Sequence, residues 1–261
     1  MSHSVKSTRS VRALPALRQV ENVTLREQVT QSVRSALMNG HFQPGQTVTV
    51  RAISSMFGAS VMPAREAMNR LIAEGALELR TNRSVIVPVL SRHEFDELTD
   101  LRCHVEGLAA AQAVDRVAAA NIEWLKQIDA AMRVAARKGD ADAYLDGNFQ
   151  FHFVIYRLGA SAFMLSIIER LWVRVGPLIR SCFTTTGFSD SSRLHAQIIE
   201  ALEAGKAATL REAIVADIAV AAETIRATQD TRAAAAPTGQ LAGAEETHSV
   251  RAAHGLVAAV R

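Results

Sequence analysis

The sequence predicts a mostly α-helical chain in two parts: a short helical unit closed by a β-hairpin, then an all-α antiparallel bundle. Three observations carry this. Apolar residues recur at helical spacing over most of the chain. Alanine is abundant and aromatics are only 5% of residues, which favours helices over a β-sandwich. Glycines stand at the breaks between periodic segments, so the connections are short. At 261 residues, 49% hydrophobic and 21% charged, the chain has room for one large domain or two ordinary ones, and global disorder is excluded.

Residues 1–22 are polar and non-periodic and read as a flexible basic arm; Lys6, Arg9, Arg12 and Arg18 lie there without the apolar stretch of a secretory signal. Leu25, Val29, Val33 and Leu37 recur every four residues and give one helix, closed by Gly40. Pro44-Gly45 makes a turn, and Thr47-Val48-Thr49 is a short β-rich stretch. A second helix is expected from Val50 to Phe57, stopping at Gly58. A third starts at Pro63, runs through Ala67, Leu71 and Ile72, and ends at Gly75. Two strand-like segments, Ala76–Arg80 and Val85–Val89, flank the polar turn Thr81-Asn82-Arg83-Ser84. Over residues 23–90 this is the order of a winged helix-turn-helix.

Residues 91–232 read as six helices, near 94–113, 116–137, 140–158, 162–182, 191–204 and 207–229. Gly139, Gly159, the stretch Thr184-Thr185-Thr186-Gly187 and Gly205 supply the breaks. Residues 233–261, with Pro237, Gly239 and Gly243, read as a low-complexity tail. No apolar run approaches the roughly 18 residues a membrane span needs. Cys103 and Cys182 match no metal or disulfide spacing, so a cytoplasmic chain with reduced thiols is the simplest expectation.

The net charge of +3 is unevenly spread: residues 1–90 carry +6 and residues 91–261 carry −3. A basic front suits a polyanionic partner. Arg51 opens the second expected helix, Arg65 lies in the first turn of the third, and Arg83 stands at the hairpin tip. Those are the ends a winged helix presents to duplex DNA, where helix N-termini also favour phosphate.

The run from Leu25 to Val87 resembles the winged-helix domain of GntR-type bacterial transcription regulators. It carries the opening helix, the G-x-x-x-P-G turn, the P-x-R-E-A recognition helix, the L-x-x-E-G exit and the Asn-Arg wing. The resemblance implies DNA contacts from Arg51, Arg65 and Arg83, with Ser60, Met62, Asn82 and Ser84 at the flanking positions. Ser60-Val61-Met62-Pro63 replaces the family's frequent Ser-Arg-Thr-Pro, and Ser84 replaces its usual wing glycine.

In the helical part, Asn148 and His152 share one helix face, and His195 and Asp217 stand on either side of the break at Gly205. Two facing pairs of N/O ligands inside a bundle can enclose a divalent ion. The segment Asn148-Phe149-Gln150-Phe151-His152, with Ile155-Tyr156 and Leu171-Trp172, resembles the FCD ligand-binding domain of the FadR-type subfamily. Its six helices are similar to the VanR-like branch. The resemblance implies a metal (zinc, nickel or manganese) held at Asn148, His152, His195 and Asp217. Asn148 stands where the family often has Asp, and Asp217 where it often has His. Arg102 matches an arginine the family often points at the cavity; a surface ion pair with Glu106 is the alternative. With Asp217 as the one anionic ligand, a divalent ion leaves the site near +1, which suits a small carboxylate effector.

The expectation is therefore a ligand-responsive, homodimeric, DNA-binding transcription regulator on a near-palindromic operator, with no catalytic role. The rival is a metal-dependent enzyme acting on a small organic acid. Against it, the helical part, residues 91–232, holds no Glu-x-x-His pair for a di-iron carboxylate site; the one such spacing, Glu245 to His248, falls in the expected tail.

Overall fold

The computed structural model describes residues 24–186 and 191–235. The elements are α1 (Leu25–Met38), α2 (Val50–Met56), α3 (Val61–Ala73), β1 (Glu78–Leu79), β2 (Val85–Ile86), α4 (Arg92–Ala113), α5 (Ala119–Lys138), α6 (Ala141–Gly159), α7 (Ala162–Thr186), α8 (Ser191–Glu203) and α9 (Ala207–Ala235). The expected arm, residues 1–22, and the expected tail beyond Ala235 lie outside the described residues, as does the side chain of Cys182.

α1 begins on a reciprocal cap. The Thr24 hydroxyl accepts from the Glu27 N–H at 3.2 Å, and the Glu27 carboxylate accepts from the Thr24 N–H at 3.0 Å, worth about 1 kcal/mol. Its apolar face, Val29, Val33 and Leu37, is buried in one core with Ala64, Ala67 and Leu71 of α3. α3 starts two residues before the expected Pro63, with Ser60 as its N-cap. Proline at the third helical position removes an N–H that had no partner in any case. Arg65 is therefore the fifth residue of α3, not a first-turn residue.

The strands are shorter than their expected segments. β1 and β2 pair antiparallel, Glu78 with Ile86 and Leu79 with Val85. The Thr47-Val48-Thr49 stretch joins them: Thr47 bridges to Ile86, and the Val48 N–H donates to the Val85 carbonyl at 2.8 Å.

A second reciprocal cap, Ser91 with Glu94, starts the bundle: the Glu94 carboxylate accepts from the Ser91 N–H at 2.8 Å. α4 runs through the middle, packed against α6, α7 and α9, while α5 packs on α6 and α8. Phe95, Leu125, Phe151, Phe153, Tyr156 and Trp172 fill the interior. α7 extends to Thr186 and α9 to Ala235, past the expected ends at 182 and 229. Threonine and alanine runs carry no helix-stopping penalty of the glycine or proline kind.

The two parts meet where α1 lies on α7. A Cβ on Gly176 would stand 2.3 Å from the Leu37 carbonyl oxygen and 2.6 Å from that of Met38, so only glycine permits this approach. Side chains lock the contact. The Asn39 amide donates to Asp146 at 2.6 Å, and His41 sits 3.4 Å from Asp146 and 3.6 Å from Asp142. Arg180 of α7 donates to Asp142 at 2.6 Å. Both aspartates belong to α6, the helix that carries Asn148 and His152.

Candidate functional site

Residues 24–90 hold seven arginines. Four of them pair with carboxylates: Arg26 with Glu66, Arg34 and Arg70 with Glu74, and Arg80 with Glu78. Arg51, Arg65 and Arg83 are exposed and form no ion pair among the described residues. They are the three that the sequence places at the DNA-proximal ends of the motif. Arg34 is largely buried against Glu74, whereas Arg26 and Arg80 make 3.8 Å contacts at half-exposed side chains that hold their charge loosely; Arg51, Arg65 and Arg83 make no such contact among the described residues.

Local geometry positions them. Arg51 is the second residue of α2, whose N-cap Thr49 accepts from the Ala52 N–H at 3.1 Å. Ser60 caps α3 without using its hydroxyl on the helix, which leaves that group exposed. Met62 is 61% exposed beside Val61 at 51%, an apolar edge of the kind that meets a thymine methyl. At the hairpin tip the Asn82 carbonyl oxygen accepts from the Ser84 N–H at 3.0 Å and the Ser84 hydroxyl at 2.6 Å. This turn holds Arg83 in the left-handed region at φ 63°. The left-handed residue of this turn is Arg83, and Ser84 has no positive φ.

The second cluster is buried. Each of His152 (α6), His195 (α8) and Asp217 (α9) offers one ligand atom, and these atoms all lie within 4.8 Å of one another. His152 Nε2 stands 3.2 Å from Asp217 Oδ2, and His195 Nε2 stands 3.8 Å from Asp217 Oδ1. Asn148 lines the same cavity of about 20 Å³, together with Arg102, Trp172, Ile179, Ser191 and Ile218. That space holds an ion or one water molecule. A larger groove of about 500 Å³ lies open between α8 and α9 at Gln197, Glu200, Lys206 and Glu212, away from this cluster.

Hydrogen bonds set the chemistry. Glu106, fully buried, accepts from Arg102 Nε at 2.6 Å, from the Trp172 indole at 3.0 Å and from the Tyr156 hydroxyl at 2.6 Å. Tyr156 has one proton and gives it to Glu106, so His152 Nδ1, 3.2 Å away, donates to the phenol oxygen. That tautomer turns the Nε2 lone pair toward the Asp217 carboxylate. Two lone-pair-bearing atoms 3.2 Å apart are favourable only with a cation or a proton between them. His195 Nε2 is buried with no hydrogen-bond partner among the described residues. The residues present therefore fit a divalent metal: two buried imidazoles and a buried carboxylate converge, which is the donor set of zinc and its neighbours.

Burial alone would raise the Asp217 carboxyl, but its neighbours His152, His195 and Arg102 hold it below its ordinary value. Burial and the adjacent Glu106 push the Tyr156 phenol well up, which keeps it a donor. Arg102 makes the Glu106 pair, but in the interior. It lines the cavity and lies 5.2 Å from the Trp172 ring centre. The sequence reading missed Glu106 as a hub, Tyr156 as a tautomer-setting group, and Asp129. These act through contacts between helices, for which a single sequence gives no signal.

The fold and site define a DNA-binding regulator, and comparison with known proteins places it. The gntR family of bacterial regulatory proteins matches residues 25–87, and the FCD domain matches residues 97–220. Together these cover most of the chain, which belongs to the GntR-type regulators that carry an FCD domain. It is similar to the HTH-type transcriptional regulator McbR of Escherichia coli K12, 28% identical over 63% of this chain and 74% of that one. It is similar also to a probable D-xylose utilization operon transcriptional repressor of Paenarthrobacter nicotinovorans, 26% identical over 72% of this chain and 83% of that one. The solved structure of E. coli McbR/YncC shares the fold, with a TM-score of 0.73 at 23% identity over 81% of this chain and all of that one. The matches are to regulators, so the enzyme alternative is set aside and the chain is a transcription regulator. No helix among the described residues is long and apolar enough to cross a membrane.

Proposed function

We propose that this regulator reads DNA through residues 23–90 and senses a metal-bound small carboxylate through residues 91–232. The observation that carries the sensing half is the convergence of His152, His195 and Asp217, with an unpartnered buried imidazole nitrogen, beside a small cavity lined by His152 and Asp217. Asn148 completes the ligand set with its amide oxygen, and zinc, nickel or manganese supplies the positive charge that an anionic effector meets. Arg102 is tied to Glu106 and its charge is largely cancelled, so the metal attracts the carboxylate and Arg102 shapes the wall beside it.

At about 20 Å³ the cavity is too small for an organic acid, so effector binding must part the helices that enclose it. α6 is one of these, and it also carries Asp142 and Asp146, which hold Asn39 and His41 at the end of α1. A displacement of α6 therefore reaches the DNA-reading part through this contact. On DNA, Arg65 and Arg51 work from α3 and α2 and Arg83 from the wing, with Ser60, Met62, Asn82 and Ser84 beside them. The regulator acts in the cytoplasm as a homodimer on a near-palindromic operator, because one winged helix spans a short half-site and two-fold proteins read inverted repeats.

Two measurements test this reading. Selection of DNA fragments by the purified full-length protein should yield an inverted repeat, bound by a species that light scattering shows to be a dimer. Metal analysis should find a divalent ion in the wild type, or uptake after exposure to zinc, nickel or manganese. A monomer on an asymmetric site contradicts the first half; a wild type that takes up none of these ions contradicts the second.

A further inference from the structure

Asp129 lies on α5, apart from the three helices that carry the cluster, and is 2% exposed. Its Oδ2 accepts from Arg133 at 2.8 Å. Its Oδ1 is buried with no hydrogen-bond partner among the described residues and stands 3.6 Å from His195 Nδ1. Leaving a buried acceptor unsatisfied costs roughly 1–3 kcal/mol. Its buried neighbours along α5 are Leu125, Ile128 and Met132, and an apolar side chain would serve packing at this position better than a carboxylate.

The His195 imidazole thus has an unpartnered atom at each end of one axis: Asp129 Oδ1 faces Nδ1, and its own unpartnered Nε2 faces the space beside Asp217. Phe151 stacks on the ring at 4.4 Å between centres and restricts its tilt. At 3.6 Å the Asp129 contact is about half an ångström longer than a made N–H···O bond. A small slide of the ring in its own plane changes that distance without breaking the stack.

We propose that Asp129 is a positioning residue for His195: it accepts the Nδ1–H, fixes that tautomer, and so directs the Nε2 lone pair at a divalent cation. This rests on the metal reading above. The general basis is that a metal-bound imidazole donates its other N–H to a carboxylate, carbonyl or water, which raises its basicity and holds its orientation. His152 has a counterpart in Tyr156, backed by Glu106, so each imidazole is braced from outside the cluster by a different group.

The test uses full-length protein stripped of metal by chelator, with zinc alone as the probe. Zinc affinity by competition with a chromophoric chelator should fall about 10–100-fold in Asp129→Asn. The visible absorption of the cobalt-loaded variant should change band shape, which a purely structural role would not cause. Asp129→Leu keeps the branching of the side chain and removes the charge; it should melt at or near the wild-type temperature while losing zinc affinity as Asp129→Asn does. Arg133→Ala leaves the carboxylate in place and should hold zinc within a few-fold of wild type. Wild-type affinity and wild-type cobalt spectra in both Asp129 variants would overturn the proposal while leaving the metal reading intact. A wild type that binds no zinc or cobalt would overturn both.

Discussion

The candidate sites of the DNA-reading part and the helical bundle leave their polar groups unpaired in opposite settings. In the first, Arg51, Arg65 and Arg83 are left unpaired at the surface, where water satisfies them until a polyanion replaces it. In the second, His195 Nε2 and Asp129 Oδ1 are left unpaired in the interior, where nothing from solvent satisfies them. An exposed unpaired charge costs little and acts at long range. A buried unpaired group costs roughly 1–3 kcal/mol and calls for a specific ligand at contact distance. The first arrangement suits meeting a polyanion, and the second suits a specific buried ligand.

Substitutions can break that contrast at several points, in descending order of effect. His152→Ala and His195→Ala each remove a ligand, so zinc affinity should fall by more than the roughly 10–100-fold that losing an outer partner costs. Equilibrium dialysis checks this, and circular dichroism should show both variants still helical. Gly176→Ala forces a methyl against the Leu37 and Met38 carbonyls and should lower stability by about 1–3 kcal/mol, read by thermal melting.

On the DNA side, Arg65→Ala should weaken operator binding by about 1–3 kcal/mol and relax sequence preference if the guanidinium reads a guanine edge. Arg80→Ala is the control, since Glu78 stands beside its guanidinium at 3.8 Å; its operator affinity in a shift assay should fall less than that of Arg65→Ala. Equal losses for the two would erase the distinction between paired and unpaired arginines. The smallest effect is expected at the wing. Arg83→Ala should weaken all duplexes alike and reduce the slope of log affinity against log salt by about one.

How much of this could be read from sequence follows the same division. The reading surface depends on local order: Gly58, Ser60-Val61-Met62-Pro63, Gly75 and the Asn82-Arg83 turn are each set within a few residues. Their placement came out within two residues, the misplaced start of α3 being a proline tolerated two positions further in. The bundle's six helices were legible because their apolar spacing is regular. Asn148 with His152 was legible as a four-residue step, and His195 with Asp217 as a hairpin pairing. The roles of Asp129 and Glu106 were not, because His195, Tyr156 and Trp172 reach them from other helices. Arg102 was half legible: the pairing with Glu106 is a four-residue step, whereas its burial depends on Trp172, 70 positions away.

The contact between the parts has the same character, for Asn39 reaches Asp146 across 107 positions. Asn39→Asp would set two carboxylates against each other there. It should leave zinc affinity unchanged and uncouple operator binding from the bundle.

The central claim is that occupancy of the buried His152, His195 and Asp217 cluster governs what the exposed arginines do. The most direct measurement is operator affinity of the full-length protein, stripped of metal, then loaded with zinc, then titrated with a panel of two- to six-carbon carboxylates. A coupling of typical size, about 1–3 kcal/mol, would change wild-type affinity roughly 5- to 150-fold for at least one carboxylate, only in the presence of metal. His152→Ala and His195→Ala should bind the operator and show no change. Wild-type affinity indifferent to metal and to every carboxylate, or histidine variants that respond as the wild type does, would contradict it.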